Sequence, residues 1–184
     1  MFEKINLLSK NKENGVITLK PEIICKDEKL FLGIARKINQ SESIKYGLLK
    51  KVRKEFKEMS KFIENRINPE LYYAAYDYNP EDIWKEDNEI NYTYYYCAEV
   101  SGYGKISEGM IRKVVHKAKY AVFSYDGKSG TLNGETINMQ VYDYIDGIWL
   151  SNSGFELADT SDYEAINEEE KSHRLLHFYK ISYN

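Results

Sequence analysis

The sequence lacks the features that crosslink a protein, anchor it in a membrane or give it a large net charge. It contains two cysteines, Cys25 and Cys97, and three prolines in 184 residues, so neither a disulfide framework nor a proline-rich linker is present. No apolar run approaches the roughly 20 residues that span a membrane, and no signal peptide is recognisable. The 26 Lys and Arg against 29 Asp and Glu give a net charge of −3, which offers nucleic acid no attractive field. We therefore expect a cytoplasmic protein with no membrane contact and no direct nucleic-acid contact.

Aromatic residues are abundant instead, with 17 Tyr, 7 Phe and 2 Trp. Each tyrosine ring carries one polar end, so the chain must place many amphipathic rings somewhere in its structure. A length of 184 residues with 42% hydrophobic residues predicts one globular domain. We expect a polar N-terminal extension over residues 1–20 and a single small-molecule-binding domain over residues 21–184, built of two half-repeats at about 22–100 and 109–184.

Two amphipathic helices are predicted from the spacing of apolar residues. The first runs from about Ser43 to Arg66, and its apolar stripe recurs at intervals of three or four residues. That stripe comprises Ile44, Leu48, Val52, Phe56, Met59 and Ile63. Five lysines and Arg53, between residues 45 and 57, are interpreted as the solvated outer face of this helix. The second helix is predicted from about Leu132 to Leu150.

Strand patterns flank both helices. The predicted strands are 30–38, 71–78, 92–100, 119–125, 155–157, 163–166 and 175–182. The order strand, helix, strand, strand therefore occurs twice. Two such modules predict an α+β fold in which a pseudo-twofold arrangement forms one antiparallel sheet with two helices and a central ligand cleft.

Residues suited to metal or cofactor chemistry are sparse. His173 and His177 have i, i+4 spacing but lie where a turn enters a strand, and His116 stands alone among lysines. No phosphate-binding loop, dinucleotide fingerprint or nucleophile elbow occurs. Cys97 lies in a strand pattern and is interpreted as a small core residue. We expect no metal and no cofactor.

Alternation along the strands sorts the tyrosines into two faces. Tyr92, Tyr94 and Tyr96 share one face, whereas Tyr95 and Glu99 share the opposite one. One face must meet the helices, so the other is expected to carry stacked rings that a flat apolar ligand covers. The other interpretation is that these tyrosines are core residues whose hydroxyl groups reach water, and the pattern leaves both open.

Short motifs in the second half point to a known class of domain. They are Gly109-Met110, Lys119-Tyr120-Ala121-Val122-Phe123, Trp149-Leu150, Ser153-Gly154-Phe155-Glu156 and Tyr163-Glu164. In this order and spacing, the segment from residue 109 onward resembles the gyrase-inhibitor-like small-molecule-binding domains, which also serve as effector-binding domains of AraC-type and MerR-type regulators. The resemblance implies two strand-helix-strand-strand modules around a cleft for flat, hydrophobic, often cationic compounds. Only about 20 residues precede the first core strand, so a stand-alone member without a DNA-binding domain is expected.

The resemblance and the aromatic pattern together predict a ligand site. Glu164 matches the acid at the centre of the family's cleft and Trp149 matches its tryptophan at the helix end, although Ile166 stands where a tyrosine is expected. The full set of expected ligand-binding residues is Glu164, Glu156, Glu99, Trp149, Tyr163, Phe123, Tyr95, Tyr125 and Phe155. Rings from this set would sandwich a planar ligand while Glu164 offsets its positive charge.

Two other functions stay open. Some members of the resembling family are hydrolases that open strained electrophilic molecules, which implies Glu164 as general base or nucleophile and a tyrosine of the cleft as the acid. A gyrase-inhibitor-like modulator would instead bind a protein partner through the acidic stretch from Glu164 to Glu170. We expect binding or sequestration of a hydrophobic or cationic small molecule rather than catalysis.

Overall fold

The computed structural model describes the backbone of residues 20–78, 90–126, 144–167 and 174–183, together with four dipeptides at 9–10, 17–18, 131–132 and 135–136. Side chains are described for residues 20–78, 90–123, 144–158, 163–167 and 179–183. Most of the predicted N-terminal extension and the connection after residue 78 lie outside these ranges.

The predicted strands are present, and the structure adds strands that the sequence patterns did not predict, among them Glu22–Lys26 and Ile111–Val115. The first half contains β1 (Ser9–Lys10), β2 (Ile17–Thr18), β3 (Glu22–Lys26), β4 (Lys29–Asn39), α1 (Gln40–Tyr46), α2 (Leu48–Ser60), β5 (Leu71–Tyr78) and β6 (Asn91–Val100). The second half contains β7 (Ile111–Val115), β8 (Ala118–Asp126), β9 (Thr131–Leu132), β10 (Glu135–Thr136), a π-helical turn (Ile145–Trp149), α3 (Leu150–Ser153), β11 (Phe155–Asn167) and β12 (Arg174–Tyr183). No helix in the described part of the chain is both long and apolar enough to cross a membrane.

The first helical segment is two helices, not the single predicted one. The side chain of Asn39 caps α1 by accepting a hydrogen bond from the backbone N–H of Glu42 at 3.2 Å. Gly47 then ends α1 in the left-handed conformation with φ of 60°, which glycine adopts at little cost, and α2 starts at the next residue. The apolar stripe loses its register at this break, so Ile44 is exposed whereas Val52 and Phe56 are buried.

The second helical segment also differs from the prediction. β9 pairs with β10, so the chain is extended at both dipeptides where the helix was expected to begin. The described helical residues comprise the π-helical turn and α3, which ends at Ser153. Gly154 follows as the C-cap, with a φ of 73°. The predicted helical positions Ile137 and Val141 lie outside the described residues.

One eight-stranded antiparallel sheet contains the pseudo-twofold arrangement. Its strand order is β3-β8-β12-β11-β5-β6-β4-β7. Each module places its second strand innermost, its third strand next and its first strand outside, so β11 and β5 meet at the centre. The edge strands are exchanged, because β3 precedes β4 in the chain but pairs with β8, and β7 precedes β8 but pairs with β4. The predicted α+β fold is confirmed.

Short connections force this sheet to curl. β7 and β8 are joined by His116 and Lys117 alone, yet β8 is second and β7 eighth in the strand order. A flat sheet would separate them by roughly 29 Å, whereas three peptide steps reach roughly 11 Å. The ends therefore meet, and Lys117 Nζ lies 2.9 Å from Oδ1 of Asp27 in the equivalent turn between β3 and β4.

The curl gives the sheet an inner face and an outer face with separate cores. One cluster spans both ends of the sheet on the inner face and includes Phe31, Tyr73, Tyr120 and Tyr163. The outer face carries two clusters, one packed against α2 around Phe56 and one packed against the π-helical turn. The expectation of an open aromatic face is wrong for the described residues, because α2 covers one set of tyrosines and the curl encloses the other.

Candidate ligand-binding site

Glu164 lies buried at the centre of the outer face, with 5% of its surface exposed. It sits on β11, directly opposite Ala74 of β5 and opposite the backbone of His177 on β12. Because residues paired across antiparallel strands project from the same face, Glu164 shares one row with Phe123 on one side and Tyr96 on the other. The acid therefore lies beside the pseudo-twofold axis, between the two helix-bearing halves.

Arg53 of α2 approaches the same place from the first half. Its Nε donates a hydrogen bond to Tyr94 Oη at 2.9 Å, and its guanidinium carbon lies 5.6 Å from the centre of the Tyr96 ring. Burial disfavours the charge of Arg53, but the nearby oxygens of Tyr94, Tyr76 and Glu164 outweigh that effect and raise its pKa above the ordinary arginine value. A positive side chain of the protein thus acts on the same cluster as Glu164.

Burial and neighbouring charges raise the pKa values of two tyrosines around this pair. Burial is the largest cause of the raised pKa of Tyr76, and the negative charge of Glu164 is the second. Burial also raises the pKa of Tyr94 to about 12, although the hydrogen bond and charge of Arg53 oppose it. Both phenols therefore stay neutral at physiological pH and act as hydrogen-bonding groups beside Glu164.

An aromatic cluster in the second half lies on the same outer face. Phe123 packs edge-to-face on Trp149, with ring centres 5.1 Å apart, and Trp149 stacks on Phe155 at 6.1 Å. Trp149 and Phe155 are half-buried, so both keep accessible surface. Among the predicted ligand-binding rings whose side chains the structure describes, these three share the face of Glu164.

Three other predicted residues lie on the inner face instead. Tyr163 belongs to the enclosed cluster there, and the Tyr95 ring is covered by Lys113, whose Nζ lies 3.9 Å from the ring centre. Glu99 accepts hydrogen bonds from Lys29 Nζ at 2.6 Å and from Tyr73 Oη at 2.7 Å. The structure therefore does not bring these residues together with Glu164, because the sheet separates them.

The last two predicted residues have separate positions. Glu156 is exposed on β11 and accepts a hydrogen bond from Ser182 Oγ at 3.2 Å. The backbone of Tyr125 lies in β8 opposite Leu175, and its side chain is outside the described residues. His173 is outside them as well, and His177 is described by its backbone alone.

Sequence reasoning missed Arg53 because it stands in a lysine-rich segment. Lys50, Lys51 and Lys54 are exposed as predicted, but Arg53 and Lys57 are one helical turn apart on the side that faces the tyrosines. The usable signal was the single arginine among lysines, next to Val52, because arginine is the cation that pairs best with buried acceptors and rings.

Two grooves in the described part of the chain lie away from Glu164. One groove of about 540 Å³ is lined by Asp77, Tyr78 and Tyr92, and another of about 630 Å³ by Met59 and Phe62. Neither is lined by Glu164 or by another predicted ligand-binding residue. Within the described ranges, no group of three or more His, Cys, Asp or Glu side chains is placed to hold a metal ion.

The sequence matches a known family over most of its length. The sequence profile of the family described as integron-associated effector binding protein, Cass2, matches residues 22–182. The chain belongs to this family. The predicted resemblance to effector-binding domains is thereby confirmed, and small-molecule binding is confirmed at the level of the family. The identity of the ligand and the role of Glu164 stay predictions.

Solved structures share the Cass2 fold at low sequence identity. The C-terminal domain of EcmrR is 14% identical with a TM-score of 0.64, and the match covers 90% of this chain and 99% of that chain. SAV2435, solved bound to tetraphenylphosphonium, is 8% identical with a TM-score of 0.60, and the match covers 88% of this chain and 93% of that chain. At these identities the likeness shows the fold alone.

Two further solved structures concern a protein of similar size and a longer protein that this chain covers only in part. The integron cassette protein VCH_CASS2 of Vibrio cholerae is 14% identical with a TM-score of 0.51, over 88% of this chain and 95% of that chain. This chain spans 58% of the EcmrR chain that was solved in a DNA complex. A search of curated proteins found no match.

Proposed function

We propose that this Cass2-family protein binds planar, hydrophobic cations between its two helix-bearing halves. Glu164 serves as the acidic acceptor, and Phe123, Trp149 and Phe155 supply the aromatic contacts. The observation that carries the proposal is the position of Glu164, which is buried beside the pseudo-twofold axis among aromatic side chains. Ionisable groups buried among aromatic side chains are found at binding sites more often than elsewhere, which supports a role for Glu164 in binding.

The rings of the second half suit a flat ligand. Trp149 and Phe155 are stacked with an interplanar angle of 20° and are half-buried, which leaves aromatic surface for a further ring. A compound of about 25 heavy atoms that binds with about −0.3 kcal/mol per atom reaches roughly −7.5 kcal/mol. That corresponds to a dissociation constant of a few micromolar, which suits recognition of several related compounds.

Titration with the planar cations ethidium and acridine orange tests the proposal. We expect the wild-type protein to bind at least one of them, and Glu164→Gln to weaken that binding at least tenfold because a charge-assisted contact of about 1.5–3 kcal/mol is lost. Glu156→Gln is the matched control, since Glu156 is an exposed acid on the same strand and should leave the affinity unchanged. Equal affinity in wild type and Glu164→Gln would contradict the proposal.

The two alternative functions remain predictions. The same mixtures can be analysed for hydrolysed product, which a binding protein does not form. The acidic stretch invoked for a protein partner extends from Glu164, which is buried, to Glu170, and residues 168–170 lie outside the described part of the chain.

A further inference from the structure

Arg53 brings a permanent positive charge of the protein into the proposed binding site. Arginine keeps its proton at any pH at which proteins are folded, so this charge cannot be removed by titration. The hydrogen bond to Tyr94 and the contact with the Tyr96 ring place the Arg53 guanidinium on the outer face. Tyr96 and Glu164 both pair with Ala74 across neighbouring strands, so the guanidinium lies over the same row of side chains as Glu164. Tyr76 shares its face of β5 with Ala74, the cross-strand partner of Glu164, and its ring centre lies 5.2 Å from that of Tyr94. Glu164, Tyr76, Tyr94 and Arg53 therefore occupy neighbouring positions on the outer face.

The tyrosine rings of the first half are already engaged by cations of the protein. Tyr72 and Tyr96 are stacked with centres 5.5 Å apart and an interplanar angle of 5°. Arg53 lies 5.6 Å from the Tyr96 ring centre, and Arg66 and Lys57 lie 4.6 and 5.8 Å from the Tyr72 ring centre. A ligand cation entering from this side meets positive charge before it reaches these rings.

We propose that Arg53 is the specificity-determining residue of the site: it is the built-in counter-charge of Glu164, and a cationic ligand must compete with it for that carboxylate. This inference rests on the proposed function. As a consequence, the wild-type site prefers cationic over neutral ligands far less strongly than a site with the same acid and no arginine would. Neutral planar compounds form no ion pair with the carboxylate, so this competition does not affect their binding.

Ethidium and phenanthridine test the inference, because they share one ring system and only ethidium is charged at pH 7.5. We expect Arg53→Gln to bind ethidium at least fivefold more tightly than wild type, with phenanthridine affinity unchanged within twofold. Lys54→Gln removes the same charge from the exposed side of α2 and should change neither affinity. Arg53→Lys keeps the charge and should retain the wild-type preference between the two probes.

A folded Arg53→Gln protein that binds ethidium no more tightly than wild type overturns the inference. If Arg53→Gln does not fold, the double variant Arg53→Gln/Glu164→Gln removes both charges and leaves no unpaired buried carboxylate. Its ratio of ethidium to phenanthridine affinity should exceed that of Glu164→Gln, in which Arg53 still repels the cation, and equal ratios overturn the inference. The proposed function is judged separately, by whether wild type binds a cation and Glu164→Gln loses it.

Discussion

Replacing Lys29 with Met should destabilise the protein because it leaves the buried carboxylate of Glu99 without its positively charged partner. Lys29 Nζ lies 2.6 Å from Glu99, and the two side chains are 20% and 9% exposed. Without the ammonium group, Glu99 keeps one neutral hydrogen bond, from Tyr73. Removing one partner of a buried ion pair costs about 3–5 kcal/mol. Partial exposure of Lys29 admits water at that end, so we expect a loss of about 3 kcal/mol.

Urea unfolding followed by circular dichroism at pH 7 measures this loss. The control is Lys117→Met, which removes an ion pair with Asp27 of similar length whose side chains are 71% and 87% exposed. Water screens the charges of so exposed a pair, so its removal should leave the free energy of unfolding nearly unchanged. The double variant Lys29→Met/Glu99→Gln should be more stable than Lys29→Met, because no buried charge is left alone. Equal, small losses in Lys29→Met and Lys117→Met would refute the reasoning.

Two further predictions concern the contact between β4 and β6. Gly33→Ala should cost about 3 kcal/mol in urea unfolding, because the added Cβ would clash with Cys97 Sγ and with the backbone oxygen of Tyr96; a loss below 1 kcal/mol would show that the strands can separate. Burial raises the pKa of Cys97 from its ordinary value of 9.0 to about 12, so the folded chain holds this proton after the unfolded chain has released it. Stability should therefore be intact below pH 9 and fall as the pH rises from 9 towards 12, more in wild type than in Cys97→Ala; equal falls in the two proteins would contradict this assignment.

The fold was largely predictable because its signals are local. Alternation and turn residues placed the strands within a few residues of β4, β5, β6, β8 and β12. The break at Gly47 was not anticipated, since glycine is tolerated inside a helix and the apolar spacing continues across it. The strands predicted at 155–157 and 163–166 are one strand, β11, whose pairing register shifts between Leu157 and Asp162.

The site was only partly predictable because it depends on which face each side chain occupies. Alternation correctly separates Tyr94 from Tyr95, but it does not tell which of the two faces meets α2. The structure places Tyr94 under the helix and Tyr95 on the inner face. A single ligand cannot be sandwiched by Tyr95 and Phe123 for this reason, although both lie in strands that were predicted.

Local sequence patterns were enough to predict most of the long strands, the succession of two similar modules and an acid, Glu164, within an aromatic segment. These properties depend on side-chain periodicity over a few residues, which the backbone geometry of strands and helices translates directly. Pairing between strands produced the curl, the two separate faces and the location of Arg53 on the same outer face as Glu164. Those depend on pairing between strands distant in the chain, and the electrostatic character of a buried site follows from which charges that pairing places together.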